Sequence, residues 1–183
     1  MQYQISYYSP DGHAEDMAFS FRQLLPSLTP LVDLTKRTLQ GSCTHLVGFE
    51  FPEASLEEIP EVVRHFLSGL ANMEVLVFAT YPLLIDDGIL AQAERLVLSC
   101  LPETCKYRGL YLCQGAASQQ LIQSLTQAIA YDPANKSLRK SLKICRSSTY
   151  HPTRQDIRMG CRFVADALRL EYYKYSQHLC IGK

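Results

Sequence analysis

The sequence predicts a single α/β domain built on a parallel sheet with helices on both faces. Short β-rich runs alternate with amphipathic stretches of about 10 to 16 residues, the pattern of βαβ units joined by right-handed crossovers. Residues 44–51 and 73–80 are apolar without alternation, as strands buried on both faces are. With 183 residues, 47% of them hydrophobic, the chain can bury one substantial core, so residues 1–183 are read as one domain.

The elements follow in order. Residues 3–9 form a first strand that ends in a small-residue turn, and 13–28 place Met17, Phe21, Leu24 and Leu25 on one helical face. Residues 31–34 are a weaker second strand, and 44–51 a third. A helix is expected over 55–70, with Ser55 as N-cap and Glu58 three residues on, the spacing of a capping box. Residues 73–80 form the fourth strand, 88–101 a helix, and 107–115 the fifth strand. From there to the C-terminus the outline is helical, with an extra helical region at 117–150 before a long final helix from Thr153 that packs its tyrosines.

Composition excludes several classes. No apolar run approaches the ~18 residues of a membrane span, and the first residues lack the basic and apolar regions of a secretory signal, so a cytoplasmic location is expected. The seven cysteines are irregularly spaced, and several sit in apolar segments, which suits reduced, buried thiols. No Cys-x-x-Cys pair, Walker loop or Ser-His-Asp order suggests a metal centre or a hydrolase. His65 and His151 read as structural. Charge is uneven: residues 1–135 carry 7 basic and 15 acidic side chains, net −8, and 136–183 carry 11 and 3, net +8. The basic stretch 136–143 lacks the interleaved aromatics of a nucleic-acid platform and reads as a solvated helix face.

In a doubly wound sheet, ligands sit beyond the C-terminal strand ends. Those ends are Ser9, Pro10, Asp11, Gly12, His13 and Ala14 after the first strand, and Glu50, Phe51, Pro52 and Glu53 after the third. Thr80, Tyr81 and Pro82 follow the fourth, and Cys113, Gln114, Gly115 and Ala116 the fifth. A small-residue turn at a helix N-terminus can hold a phosphate, and aromatics in neighbouring loops can hold a flat ring. Ser9 and Asp11 equally fit ordinary turn and N-cap roles.

These segments, in this order, resemble the flavodoxin family over nearly the whole chain. Cys113-Gln114-Gly115 and the His151-Pro152 to Asp156 segment are similar to those of flavodoxin-like proteins of anaerobic bacteria, and residues 7–18, 46–67 and 75–81 carry further likeness. The resemblance implies a five-stranded sheet of order 2-1-3-4-5. It also implies bound FMN, with an electron-transfer protein or small flavin-dependent reductase subunit as the function. FMN contacts are then expected from Ser9, Pro10, Asp11, Gly12, His13, Ala14, Phe51, Thr80, Tyr81, Pro82, Cys113, Gln114 and Gly115. Tyr81 takes the ring-stacking position, Phe51 covers the other face, Phe49 points into the core, and Cys113 is a packed thiol.

The chain departs from the family where the phosphate binds. The family's threonines are replaced by Asp11 and Ala14, and its asparagine by His13. An ionised Asp11 beside a phosphate repels it by about 4 kcal/mol per unit-charge pair at ~4 Å and an effective dielectric near 20, unless its side chain points outward. The alternative is therefore a flavodoxin-like binding or scaffolding protein that has lost FMN. Glu15, Asp16, Glu50, Glu53, Glu57, Glu58, Asp86 and Asp87 are expected on the rim of the crevice, where acidic residues of the family meet a basic redox partner. Ordinary complementing of helix dipoles explains several of them as well. Neither nucleic acid nor a membrane is expected, and a homodimer is left open.

Overall fold

The computed structural model describes residues 2–36, 44–51 and 56–170. Five strands, β1 (Tyr3–Tyr8), β2 (Leu31–Asp33), β3 (Thr44–Glu50), β4 (Glu74–Tyr81) and β5 (Lys106–Gln114), form one sheet in the order β2-β1-β3-β4-β5. Every adjacent pair is parallel. The expected fold class and strand order are both present.

Helices α1 (His13–Arg22), α2 (Glu61–Ser68), α3 (Asp87–Cys100), α4 (Gln119–Tyr131), α5 (Lys136–Ser147) and α6 (Arg154–Ala167) complete the domain. Successive strand residues face opposite ways, and the core divides accordingly. Leu46, Leu76 and Phe78 pack with Met17, Phe21 and Val164 of α1 and α6. Val47, Phe49, Val75 and Val77 pack with Val63, Phe66 and Val97 of α2 and α3. Each such side chain contributes about 1.5–3 kcal/mol on burial, and Phe49 is inward as expected.

Three boundaries differ from the sequence expectation. Helix α2 begins at Glu61 after Pro60, not at Ser55, so Glu58 lies outside the helix and Ser55 outside the described residues. Proline is well suited to a helix start and poorly to its interior, because it has no N–H to donate. Helix α6 ends at Ala167, and the tyrosines of 171–183 fall outside the described residues. Its N-terminus carries a capping box that the sequence reading overlooked: Thr153 Oγ1 accepts from the Asp156 amide, and Asp156 Oδ2 accepts from the Thr153 amide at 2.7 Å. His151 Nδ1 lies 3.0 Å from the same carboxylate, which ties the histidine to this helix start.

The extra helical region is the hairpin of α4 and α5, which pack chiefly on each other. Its base is closed at the C-terminal end of β5. There the Ala116 amide donates to the His151 carbonyl at 2.9 Å and the Ala117 amide to Ser148 Oγ at 3.3 Å.

Candidate functional site

The turn after β1 is held by a side chain from β3. Gly12, at φ 88°, adopts the left-handed conformation that glycine allows at little cost. It leads directly into α1, whose first amides need acceptors. Gly12 has no side chain to cap them. Instead Ser9 Oγ accepts from the Glu15 amide at 3.0 Å, and Glu50 Oε1 accepts from the Ala14 amide at 2.9 Å. Ser9 in turn donates its hydroxyl proton to Glu50 Oε1 at 2.5 Å, and the Asp11 amide donates to Glu50 Oε2 at 2.9 Å.

Glu50 is thus seated as a bound anion would be. A hydroxyl and two backbone amides converge on its carboxylate at the positive end of a helix. Only 5% of its surface is exposed, and a buried charge is tolerated when it is paired or hydrogen-bonded in this way. The expectation that Glu50 belongs to an acidic rim is therefore corrected: β3 ends with its side chain turned into the turn. The Asp11 side chain is exposed, as an outward orientation requires, and it contributes its amide rather than its carboxylate. Pro10 is exposed, His13 is half-buried and Ala14 is buried.

The aromatic positions are also enclosed. Phe51 is 3% exposed and Tyr81 2%, their rings edge to face at 6.3 Å inside the core that α2 and α3 cover. They were expected to sandwich a flavin ring, and instead they pack against each other. Burial raises the Tyr81 pKa, followed in effect by Cys145 of α5 and by Asp86. Gly115 donates its amide to the Tyr81 carbonyl at 2.9 Å, and a Cβ at Gly115 would stand 2.8 Å from the Thr80 Cβ, so these strand ends are packed against each other. Thr80 and Pro82 are buried and Gln114 half-buried. Cys113 donates to Met17 Sδ at 3.7 Å, and burial pushes its thiol pKa up, consistent with a packed thiol.

FMN can be tested against these residues. Ser9, Asp11 and Ala14 do come together as a cradle, but on Glu50, and both ring positions lie in the core. The described residues do not fit a flavin phosphate while Glu50 is in place. Of the rim residues, Asp86 caps α3 by accepting from the Ile89 amide at 2.9 Å. Glu15 accepts from the Tyr7 hydroxyl at 2.7 Å. Asp16, Glu57, Glu58 and Asp87 are exposed, and Glu53 lies outside the described residues.

Glu50 is the residue whose role the sequence reading missed. A signal was present: a lone acidic residue closes an otherwise apolar strand, in Val47-Gly48-Phe49-Glu50-Phe51, level with the donors after β1. Its direction depends on the pairing of β3 beside β1, in which Tyr8 stands opposite Phe49.

No curated protein matches the chain. Among solved structures it is similar to that of a flavodoxin from the domain Archaea, at 12% identity and a TM-score of 0.39, over 81% of this chain and 99% of that one. A family model described as a flavodoxin domain matches residues 4–165, all five strands and the helices through most of α6, and the chain belongs to that family.

Proposed function

We propose that this chain is a flavodoxin-fold binding module that has given up FMN, with the Glu50 carboxylate standing where the cofactor phosphate is held. The observation that carries the reading is the seating of Glu50 on Ser9, Asp11 and Ala14. A phosphate arriving at those donors would have to displace a carboxylate already paid for by folding, and like charges this close repel. The enclosed Phe51 and Tyr81 support the same reading from the ring side.

The test is a titration of purified protein with FMN and with riboflavin, followed by quenching of flavin fluorescence. Neither ligand should be quenched up to high micromolar concentration, and neither should raise the unfolding temperature, as any ligand specific to the folded state must. Submicromolar FMN binding by the native chain would overturn the reading.

A second reading is an FMN-dependent electron carrier or small reductase subunit. Membership of the family favours it, and so do the amides of Gly12 and His13, which have no acceptor among the described residues. It requires Glu50 to leave the turn. The flavin would then supply the redox chemistry, and the same titration separates the two readings.

A further inference from the structure

The proposed binding role leaves its partner open, and the strongest unexplained feature outside the β1 turn is the outer face of α5. Lys136, Arg139, Lys140, Lys143 and Arg146 are all exposed. At ~100° per residue they fall within about 120° of the helix circumference, and at a rise of ~1.5 Å they span about 15 Å of its axis. None of the five forms an ion pair with a described residue. Helix α4, against which α5 packs, contains no charged residue. The segments outside the described residues offer little counter-charge: 37–43 and 171–183 carry Arg37, Lys174 and Lys183 against Glu171, and 52–55 carries Glu53.

Mutual repulsion makes such a stripe costly in an isolated molecule. In sequence, α5 also lies between two large side chains that stand in water. Tyr131, at the end of α4 beside the turn into α5, is 97% exposed, and Tyr150, just beyond α5, is 86% exposed. Tyrosine and arginine are among the residues enriched at protein interfaces, where a rigid aromatic and a charge are desolvated together.

We infer that the outer face of α5, flanked by Tyr131 and Tyr150, docks a carboxylate-rich segment of a partner protein. The chain outside the stripe carries net −5, which opposes a polyanion longer than the stripe, whereas a short acidic segment matches the stripe alone. Nucleic acid is disfavoured further because no aromatic lies between Lys136 and Arg146 for bases to stack on. A membrane surface is disfavoured because the exposed stripe itself carries no large apolar side chain to insert: Cys145 is buried, and Leu138, Leu142 and Ile144 are half-buried. This docking polarity is opposite to that expected of an acidic rim. It rests on the binding-module reading only in naming that module's partner, and flavin titration tests the two independently, since a chain that bound FMN could still dock here.

The experiment measures fluorescence anisotropy of a labelled octaglutamate peptide with the whole chain at low and high salt. Binding should weaken with salt and fall by at least about tenfold in Arg139→Gln/Lys140→Gln/Lys143→Gln. Tyr131→Ala should weaken it severalfold at unchanged charge. Arg158→Gln/Arg162→Gln, exposed cations on α6, should change it by less than about twofold; unchanged circular dichroism shows that each variant is folded. Equal loss in both charge variants, or no loss in the triple variant, would overturn the proposal. So would tighter binding of duplex DNA or of phosphatidylserine vesicles through the same cations, or self-association of the native chain that the triple variant abolishes.

Discussion

At the scale of single residues, Glu50 fills the turn after β1 from within the chain. Glu50→Ala strips the acceptor from the Asp11 and Ala14 amides and from the Ser9 hydroxyl, so stability should fall by about 1–3 kcal/mol. The same change empties an anion cradle. Inorganic phosphate, compared with chloride at equal ionic strength, should therefore raise the melting temperature of Glu50→Ala and leave the native protein unchanged. Equal responses of the two proteins would show that Glu50 is not the internal anion. Asp11→Asn alters only an exposed side chain, and its effect on stability should stay within about 0.5 kcal/mol.

At the scale of elements, Glu74 joins the starts of three neighbouring strands. It accepts from Thr44 Oγ1 on β3 at 2.9 Å and pairs with Arg108 on β5. Burial alone would raise the Glu74 pKa, but hydrogen bonds from Arg108 and Thr44 outweigh it and leave the carboxyl below its usual range. A carboxylate lowered on folding adds stability above its unfolded pKa, and that contribution is lost as pH falls through the folded value. Glu74→Gln should accordingly cost about 0.5–1 kcal/mol at neutral pH, since Arg108 is partly exposed. The cost should shrink as pH falls from the ordinary carboxylate range through the lowered folded pKa, below which Glu74 is neutral in the folded and unfolded protein alike. Urea unfolding at several pH values checks this, and a pH-independent difference would assign the effect to packing.

At the scale of the whole molecule, the sheet carries a core on each face, one under α1 and α6 and one under α2 and α3, while the α4–α5 hairpin packs chiefly on itself. Buried thiols report on the two parts separately. Cys113 and Cys161 lie in the core under α1 and α6, and burial pushes the Cys161 thiol up to about 11. Cys145 is buried at the last turn of α5 and is likewise raised by burial. Local opening of the hairpin needs less surface to be exposed than opening of the sheet. Cys145 should therefore be alkylated before Cys113 and Cys161 in native buffer, a sequence that mass mapping of the labelled peptides reads directly. Simultaneous labelling of all three would mean that the hairpin opens only with the core.

Strand and helix periodicity determined much of this molecule without help. The apolar runs at 44–51 and 73–80 specify buried parallel strands, since only a sheet covered on both faces hides every side chain of such a run. Order and spacing of the strand-end segments carried the family; Cys113 was legible as a packed thiol because no basic residue adjoins it, and Phe49 as inward because successive strand residues face opposite ways. Local pattern was less informative where two readings share one chemistry. Serine, glycine and a helix start describe an anion site whether the anion is a ligand's phosphate or the chain's own carboxylate. Which one occupies it depends on the strand pairing that brings Glu50, distant in sequence, to the amides of Asp11 and Ala14. Likewise Tyr81 at a strand end is equally suited to stack on a ring or to fill a core, and only the placement of Phe51 and of the α2 and α3 side chains around it decides for the core. Sequence sets what each residue can donate, accept or bury, and tertiary structure chooses the partner, because hydrogen bonds and packing act over a few ångströms between segments that the chain keeps far apart.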